Sequence, residues 1–219
     1  MELSKYFDHT NLNPNAVESD IIKLADEAKK LNVKSVCVNP SFVKLAHELL
    51  KDSDVEVCTV VGFPLGQNTT ATKVFETKDA IENGADEIDM VINISDAKNG
   101  RFEAILEEIK AVKEAVGDHI LKVIIETCYL TEQEKIKLCE VVTASGADYI
   151  KTSTGFGTGG ATLEDIRLFK AHIGPHVKMK AAGGVKNAED LKAFLAEGCE
   201  RIGTSSAVSL LTGGQAGSY

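Results

Sequence analysis

Three features of the sequence predict an α/β fold, a single-domain (β/α)8 TIM barrel spanning residues 1–210. Short β-rich runs alternate with amphipathic stretches from end to end, eight such runs can be counted, and one frame of residues recurs three times. Alternation of this kind implies a parallel sheet, because the return to a parallel neighbour takes a crossover of helical length. No Pro/Ser-rich linker or charge block divides the 219 residues, so a single large core is expected.

In chain order the strand candidates are residues 7–10, 33–39, 55–63, 87–93, 121–128, 149–153, 177–182 and 201–205; the first is short and polar. Helical patterns lie between them. Over 101–116 the apolar residues Phe102, Ile105, Leu106, Ile109, Val112 and Val116 fall on one face, with glutamates and lysines outside. Helix starts are signalled by Asn39 before Pro40, Thr131 with Glu134, Thr162 with Asp165, and Asn187 with Asp190. Gly84, Gly146 and Gly198 each mark a helix end.

Those glycines head the repeated frame. NGADEID (83–89), SGADYIK (145–151) and EGCERIG (197–203) share a helix end, Gly, a small residue, an acid and then a strand. Five residues after each glycine come Asp89, Lys151 and Gly203, on the fourth, sixth and eighth strands. Alternate strands of a closed eight-stranded barrel contribute side chains to one layer, so Asp89, Lys151 and open space over Gly203 are expected to share a cavity. An open doubly wound sheet has no such register.

Composition narrows the function. With 24 Lys+Arg against 33 Asp+Glu, the net charge of −9 argues against nucleic acid or an anionic membrane as partner, so any anion site must be local. The first residues, MELSKYFDHT, do not form a signal peptide, and no apolar run reaches the ~20 residues of a membrane span, which points to a cytoplasmic protein. The cysteines at 37, 58, 128, 139 and 199 are odd in number and never spaced C-x-x-C, so free thiols are expected and neither a disulfide framework nor a zinc site is indicated.

The residues that can carry chemistry cluster after the last three strands, in IKTSTGFGTGG (150–160), MKAAGGVKN (179–187) and IGTSSAV (202–208). Active sites of barrels lie at that edge, and the loops after strands seven and eight often hold a phosphate. Gly183, Gly184, Gly203, Thr204, Ser205 and Ser206 suit that role, since glycine lets backbone N–H groups approach closely; Gly183 and Gly184 could also form only a turn. Lys151 ends a β-type run beside a Thr/Ser/Gly loop, where a lysine is a phosphate contact, a nucleophile or a structural ammonium. Lys180 lies on the neighbouring strand, and two close ammonium groups destabilise one another, freeing one amine to attack a carbonyl. Asp89 in the same layer could move protons or simply pair with Lys180. Lys122 is expected to be structural, near the N-terminal edge of its strand. His9 and Cys37 are weaker pocket candidates, with capping or core roles as the ordinary alternatives.

With these segments in view, the sequence resembles the deoxyribose-phosphate aldolase family. The likeness runs through FDHTNL (7–12), VCVNP (36–40), VVGFPLGQNTT (60–70), EIDMVIN (87–93), KVIIET (122–127), YIKTSTGFGTGGAT (149–162), KAAGGV (180–185) and IGTSSA (202–207). The resemblance implies a Schiff base on Lys151, proton transfer and tuning of the amine by Asp89 and Lys180, and phosphate binding around Gly155, Gly183, Gly184, Gly203, Ser205 and Ser206. Family members usually carry Ser where this chain has Ala182, which removes one hydroxyl contact. The expected partners are a small sugar phosphate and aldehydes, with no cofactor and no metal; a homodimer or tetramer is open. Alternatives are a transaldolase-like Schiff-base aldolase, a catalytically silent sugar-phosphate-binding barrel, and an epimerase, although no His/Asp cluster is spaced for a metal. The end, 211–219, reads LTGGQAGSY and is expected to be a flexible tail whose Tyr219 could fold back to exchange a proton with the enamine.

Overall fold

The computed structural model describes residues 2–185 and 187–213. Eight parallel strands close in sequence order: β1 (Phe7–Asn11), β2 (Ser35–Val38), β3 (Glu56–Val61), β4 (Glu87–Val91), β5 (Ile120–Ile124), β6 (Tyr149–Lys151), β7 (Lys178–Ala182) and β8 (Arg201–Thr204), with β8 paired back to β1. Outside them lie α1 (Glu18–Leu31), α2 (Val43–Leu50), α3 (Thr70–Glu82), α4 (Ile94–Lys98), α5 (Phe102–Val116), α6 (Glu132–Ser145), α7 (Leu163–His172), α8 (Ala188–Ala196) and α9 (Ala207–Thr212). This is the (β/α)8 barrel expected. Its first strand runs one residue beyond the predicted end, because Asn11 still pairs with Val38 of β2, and its polar Asp8 is buried, accepting from Ser35 Oγ at 2.8 Å.

Local signals act where the sequence places them. Thr131 Oγ1 accepts from the Glu134 N–H while Glu134 reaches back to the Thr131 N–H at 2.7 Å, a reciprocal cap that starts α6. Thr162 and Asn187 cap α7 and α8 in the same sense. The acid of the repeated frame ties neighbouring strands together. Asp86 accepts from the Val57 N–H and Asp148 from the Leu121 N–H, both at 2.8 Å, so each holds the start of the preceding strand.

The apolar core lies between strands and helices. Outward residues such as Val36, Val57, Ile88, Leu121, Ile150 and Ile202 pack there with the helix faces, as the period of two requires. Inside the barrel the apolar cluster is small, Leu12, Cys37, Cys58 and Val60, with Phe63 against it. Beneath and beside it the lumen carries a cluster of buried charges, Asp8, Glu87, Asp89, Lys122, Lys151, Lys180 and Arg201.

Several strands stop short of their predicted ends. The run 121–128 leaves the sheet after Ile124, because Glu126 takes a left-handed conformation (φ 54°) and Thr127–Tyr129 forms a 3-10 turn. Asn93, predicted as strand, instead caps α4 through Oδ1. At the other end of the chain, Leu211 and Thr212 belong to α9 rather than to a tail, with Leu211 packed on the core, and residues 214–219, including Tyr219, lie outside the described residues.

Candidate active site

The frame that repeats in the sequence builds the lumen in two layers. Its strand-opening residues, Glu87, Tyr149 and Arg201, form a lower layer; two residues on, Asp89, Lys151 and Gly203 form the upper one. Asp89 is the hub. Its Oδ1 accepts from Lys122 Nζ at 2.8 Å, and its Oδ2 accepts from Lys151 and Lys180, each at 2.7 Å. Lys180 also meets Asp8 Oδ2 at 2.5 Å, Asp8 meets Arg201, Arg201 meets Glu87, and Glu87 Oε2 accepts from Lys122 at 2.6 Å.

These contacts close a ring of six alternating charges, Asp8, Arg201, Glu87, Lys122, Asp89 and Lys180, none more than 2 % exposed. Three carboxylates balance three cations, and Lys151 hangs from Asp89 as a seventh group. Among the described residues Asp89 is its one ion-pair partner, and Lys180 shares the same oxygen.

Burial alone would push the Asp89 carboxyl up, but the ammonium groups of Lys122, Lys151 and Lys180 outweigh it and hold the group well below the usual carboxylate range. Burial likewise opposes the charge on Lys180 and Lys122; the carboxylates of Asp8, Asp89 and Glu87 reverse the outcome and raise both. Lys180 is thus held as an ammonium between the Asp8 and Asp89 carboxylates. Lys122 is not a peripheral group as predicted from its strand position. It sits mid-strand, bridges Glu87 to Asp89 and lies 3.4 Å from Cys58 Sγ.

The loops after β6 and β7 interlock at the mouth. A methyl group on Gly160 would stand 2.4 Å from the Gly183 carbonyl carbon, so glycine is required for this backbone crossing, which the Ala161 N–H seals on the Gly183 carbonyl at 2.8 Å. Gly155, Gly183 and Gly184 all have positive φ, and Gly155 and Gly183 lie side by side, near the buried Ser153 hydroxyl, which has no hydrogen-bond partner among the described residues. Gly203 differs from expectation. It is paired within β8, and the space over it is filled by Lys180, whose Cε would lie 3.1 Å from a methyl there. Ser205 lines an outer groove with His9, Asn11 and Asn13, and the Ser206 N–H donates to Thr204 Oγ1 at 3.0 Å. His9 points away from the lumen to Glu27 of α1, at 2.8 Å.

Cys37 faces Cys58 across β2 and β3, and their sulfurs lie within 4.8 Å of each other and of an Asp89 oxygen. The spacing in sequence hides this donor set, which a soft metal could use. Three ammonium groups already occupy Asp89, so a cation would meet their repulsion. Burial pushes the Cys58 thiol well up, against the thiolate a metal needs.

Asp8, Glu87 and Arg201 were not singled out from sequence. The signal was present: Glu87 and Arg201 hold the same place in the repeated frame, two residues before Asp89 and Gly203, where a half-apolar strand carries a charge facing inward. Glu126 was missed as well. Its buried carboxylate accepts from the Thr154 N–H at 3.2 Å and from the Thr154 hydroxyl, clamping the loop that follows Lys151, and burial raises its carboxyl.

A closed parallel barrel with a charged hub and a lysine at the C-terminal mouth has the layout of a barrel enzyme, whose active sites lie at that face. The chain belongs to the DeoC/LacD family of aldolases, which it matches over residues 3–214. It is 59% identical over 218 residues to the deoxyribose-phosphate aldolase of Clostridium botulinum (strain Alaska E43), covering 100% of this chain and 98% of that one. Identity to the enzyme of that name from Clostridioides difficile is 61% over 207 residues, 94% of each chain. Among solved structures, the tetrameric deoxyribose phosphate aldolase of Aeropyrum pernix superposes with a TM-score of 0.88 at 30% identity, over 96% of this chain and 89% of that one.

Proposed function

We propose that the protein reversibly cleaves 2-deoxy-D-ribose 5-phosphate to D-glyceraldehyde 3-phosphate and acetaldehyde through an imine on Lys151. The observation that carries this reading is the position of Lys151: its amine is 2.7 Å from the hub carboxylate yet outside the balanced ring. As a neutral amine it attacks the C1 aldehyde of the open-chain sugar, and loss of water gives the imine. The C2–C3 bond then breaks, the C3 hydroxyl proton leaves, and C3 departs as the aldehyde of glyceraldehyde phosphate. The two-carbon enamine takes a proton at C2, and water releases acetaldehyde. Asp89, held ionised, keeps no proton of its own; it orients the amine and passes protons between the groups that share it, while Lys180 stays an ammonium that stabilises the carbinolamine oxygen. No step uses a metal or a cofactor. Coupled detection of both products tests the reading: turnover of dihydroxyacetone donors in place of acetaldehyde would make the protein a transaldolase-like enzyme, and no turnover at all a silent barrel.

Phosphate binding is assigned to the loops after β6, β7 and β8, with Gly155, Gly183, Gly184, Ser205 and Ser206 as donors. Support comes from the converging positive-φ glycines and the unpartnered Ser153 hydroxyl. Ser205→Glu, which adds a negative charge to that rim, should raise KM for the phosphorylated sugar about tenfold or more while changing KM for 2-deoxyribose about twofold at most. Equal effects on the two sugars would remove Ser205 from the phosphate site.

For Tyr219 we retain proton exchange at the enamine carbon. Tyr219→Phe should slow deuterium uptake into acetaldehyde in heavy water more than it weakens substrate binding, and a wild-type exchange rate would end that role. A sugar-phosphate substrate and five free cysteines support a cytoplasmic setting, and the tetrameric relative favours assembly, as a homodimer or tetramer, which sedimentation would resolve.

A further inference from the structure

We infer that Arg201 and Glu87, which lie one layer below Lys151 and make no ion pair with it among the described residues, are positioning residues that set the charge balance making Lys151 the cation free to lose its proton. The inference rests on Lys151 as the imine-forming residue. It concerns why this lysine, and not Lys122 or Lys180, has that freedom.

The geometry is that of a closed circuit. Arg201 on β8 bridges Asp8 on β1 to Glu87 on β4, and Lys122 on β5 carries the chain on to Asp89. Lys180 on β7 completes it by joining Asp89 to Asp8. Every ring cation touches at least two carboxylates of the ring, and every ring carboxylate touches at least two cations. Lys151 touches one oxygen, already shared. When the six ring members are charged their sum is zero, so a protonated Lys151 is the one cation of this cluster without a carboxylate of its own in the ring. Losing that proton returns the lumen to neutrality.

The other groups facing Lys151 make no ion pair with it among the described residues, although the Glu126 carboxylate is near enough to feel its charge. Cys37 on β2 and Cys58 on β3 are buried thiols. Glu126, after β5, is turned to Thr154 and lies outside ion-pair distance. Glu56 on β3 flanks Glu87 but is paired with Lys34, and Tyr149 on β6 offers Arg201 its ring face at 5.8 Å. Ile124 of β5, the register partner of Lys151, is buried and brings no charge.

A ring that sets charge balance makes predictions of opposite sign, which a purely structural ring does not. Glu87→Gln removes a negative charge of nearly the same shape. The lumen becomes more positive, so Lys151 should lose its proton more readily, and the acid limb of the pH dependence of imine formation should move to lower pH. Arg201→Met removes a positive charge, the proton on Lys151 then balances the lumen, and the limb should move to higher pH. At an effective dielectric of ~20, each displacement should be about one pH unit. Arg201→Lys keeps the charge and should hold the limb within a few tenths of wild type, even if the geometry is poorer.

The readout is borohydride trapping of the purified full chain with acetaldehyde from about pH 5 to 9, with the modified peptide identified by mass, alongside circular dichroism to confirm folding. Limbs displaced in opposite directions, with the adduct on Lys151 in every variant, establish the inference. Limbs that stay in place or move the same way in both variants overturn it, leaving Lys151 as the nucleophile. An adduct on another lysine in the wild type overturns the imine assignment instead. Should Arg201→Met fail to fold, the sign of the Glu87→Gln displacement against the Arg201→Lys control decides.

Discussion

Replacing Lys151 by methionine should abolish borohydride trapping with acetaldehyde and lower aldol cleavage by about 10⁴-fold or more, the scale on which removal of a covalent nucleophile acts. Methionine keeps most of the stem volume, so the lumen is not opened, and the only group removed is the amine that the balanced ring leaves over. Stability should accordingly stay within about 1 kcal/mol of wild type, since no carboxylate is left without a cation: Asp89 retains Lys122 and Lys180. That combination separates a reactive lysine from a structural one. A structural ammonium would cost stability and leave trapping intact, and finding the reduced adduct on Lys122 or Lys180 would move the chemistry to that residue.

The opposite pattern is expected at the hub. Asp89→Asn strips the shared anion from Lys122, Lys151 and Lys180, and the carboxamide can offer an oxygen on only one side while its NH2 faces an ammonium on the other. Leaving buried charges unpaired costs about 3–5 kcal/mol, a large part of the 5–15 kcal/mol that holds a typical domain folded. Activity should fall about 10³-fold, because the amine loses its orienting partner and protons lose their path. Urea unfolding and steady-state kinetics measure the two effects. An Asp89→Asn variant as stable as wild type that still cleaved its substrate at a normal rate would show that the ring is decorative and that the lysines are positioned by packing alone. The linkage fixes the pH side as well: Asp8, Glu87 and Asp89 have depressed carboxyls, so their contribution is full above the ~4 of an unfolded carboxyl and is lost as the pH falls through the lower folded values.

Much of this was legible in the chain itself. The barrel follows from the alternation of β-rich and amphipathic runs, because hydrophobic periodicity is a local property that every strand and helix carries. The thrice-repeated frame placed Asp89 and Lys151 in one layer, and the structure joins them at 2.7 Å, because register in a closed barrel converts equal spacing in sequence into a shared height in space. What the tertiary structure alone decided is which charges meet. Asp8 and Arg201 are 193 residues apart and touch only because β8 closes on β1. Gly203 looked like an opening and is the seat of Lys180, Lys122 looked peripheral and bridges two acids, and His9 looked available and turns outward to Glu27. Each of these outcomes depends on side-chain direction and on cross-barrel distance. Electrostatic interactions fall off with separation in space and take no account of separation along the chain, so a sequence displays the charges, and only the folded barrel sums them.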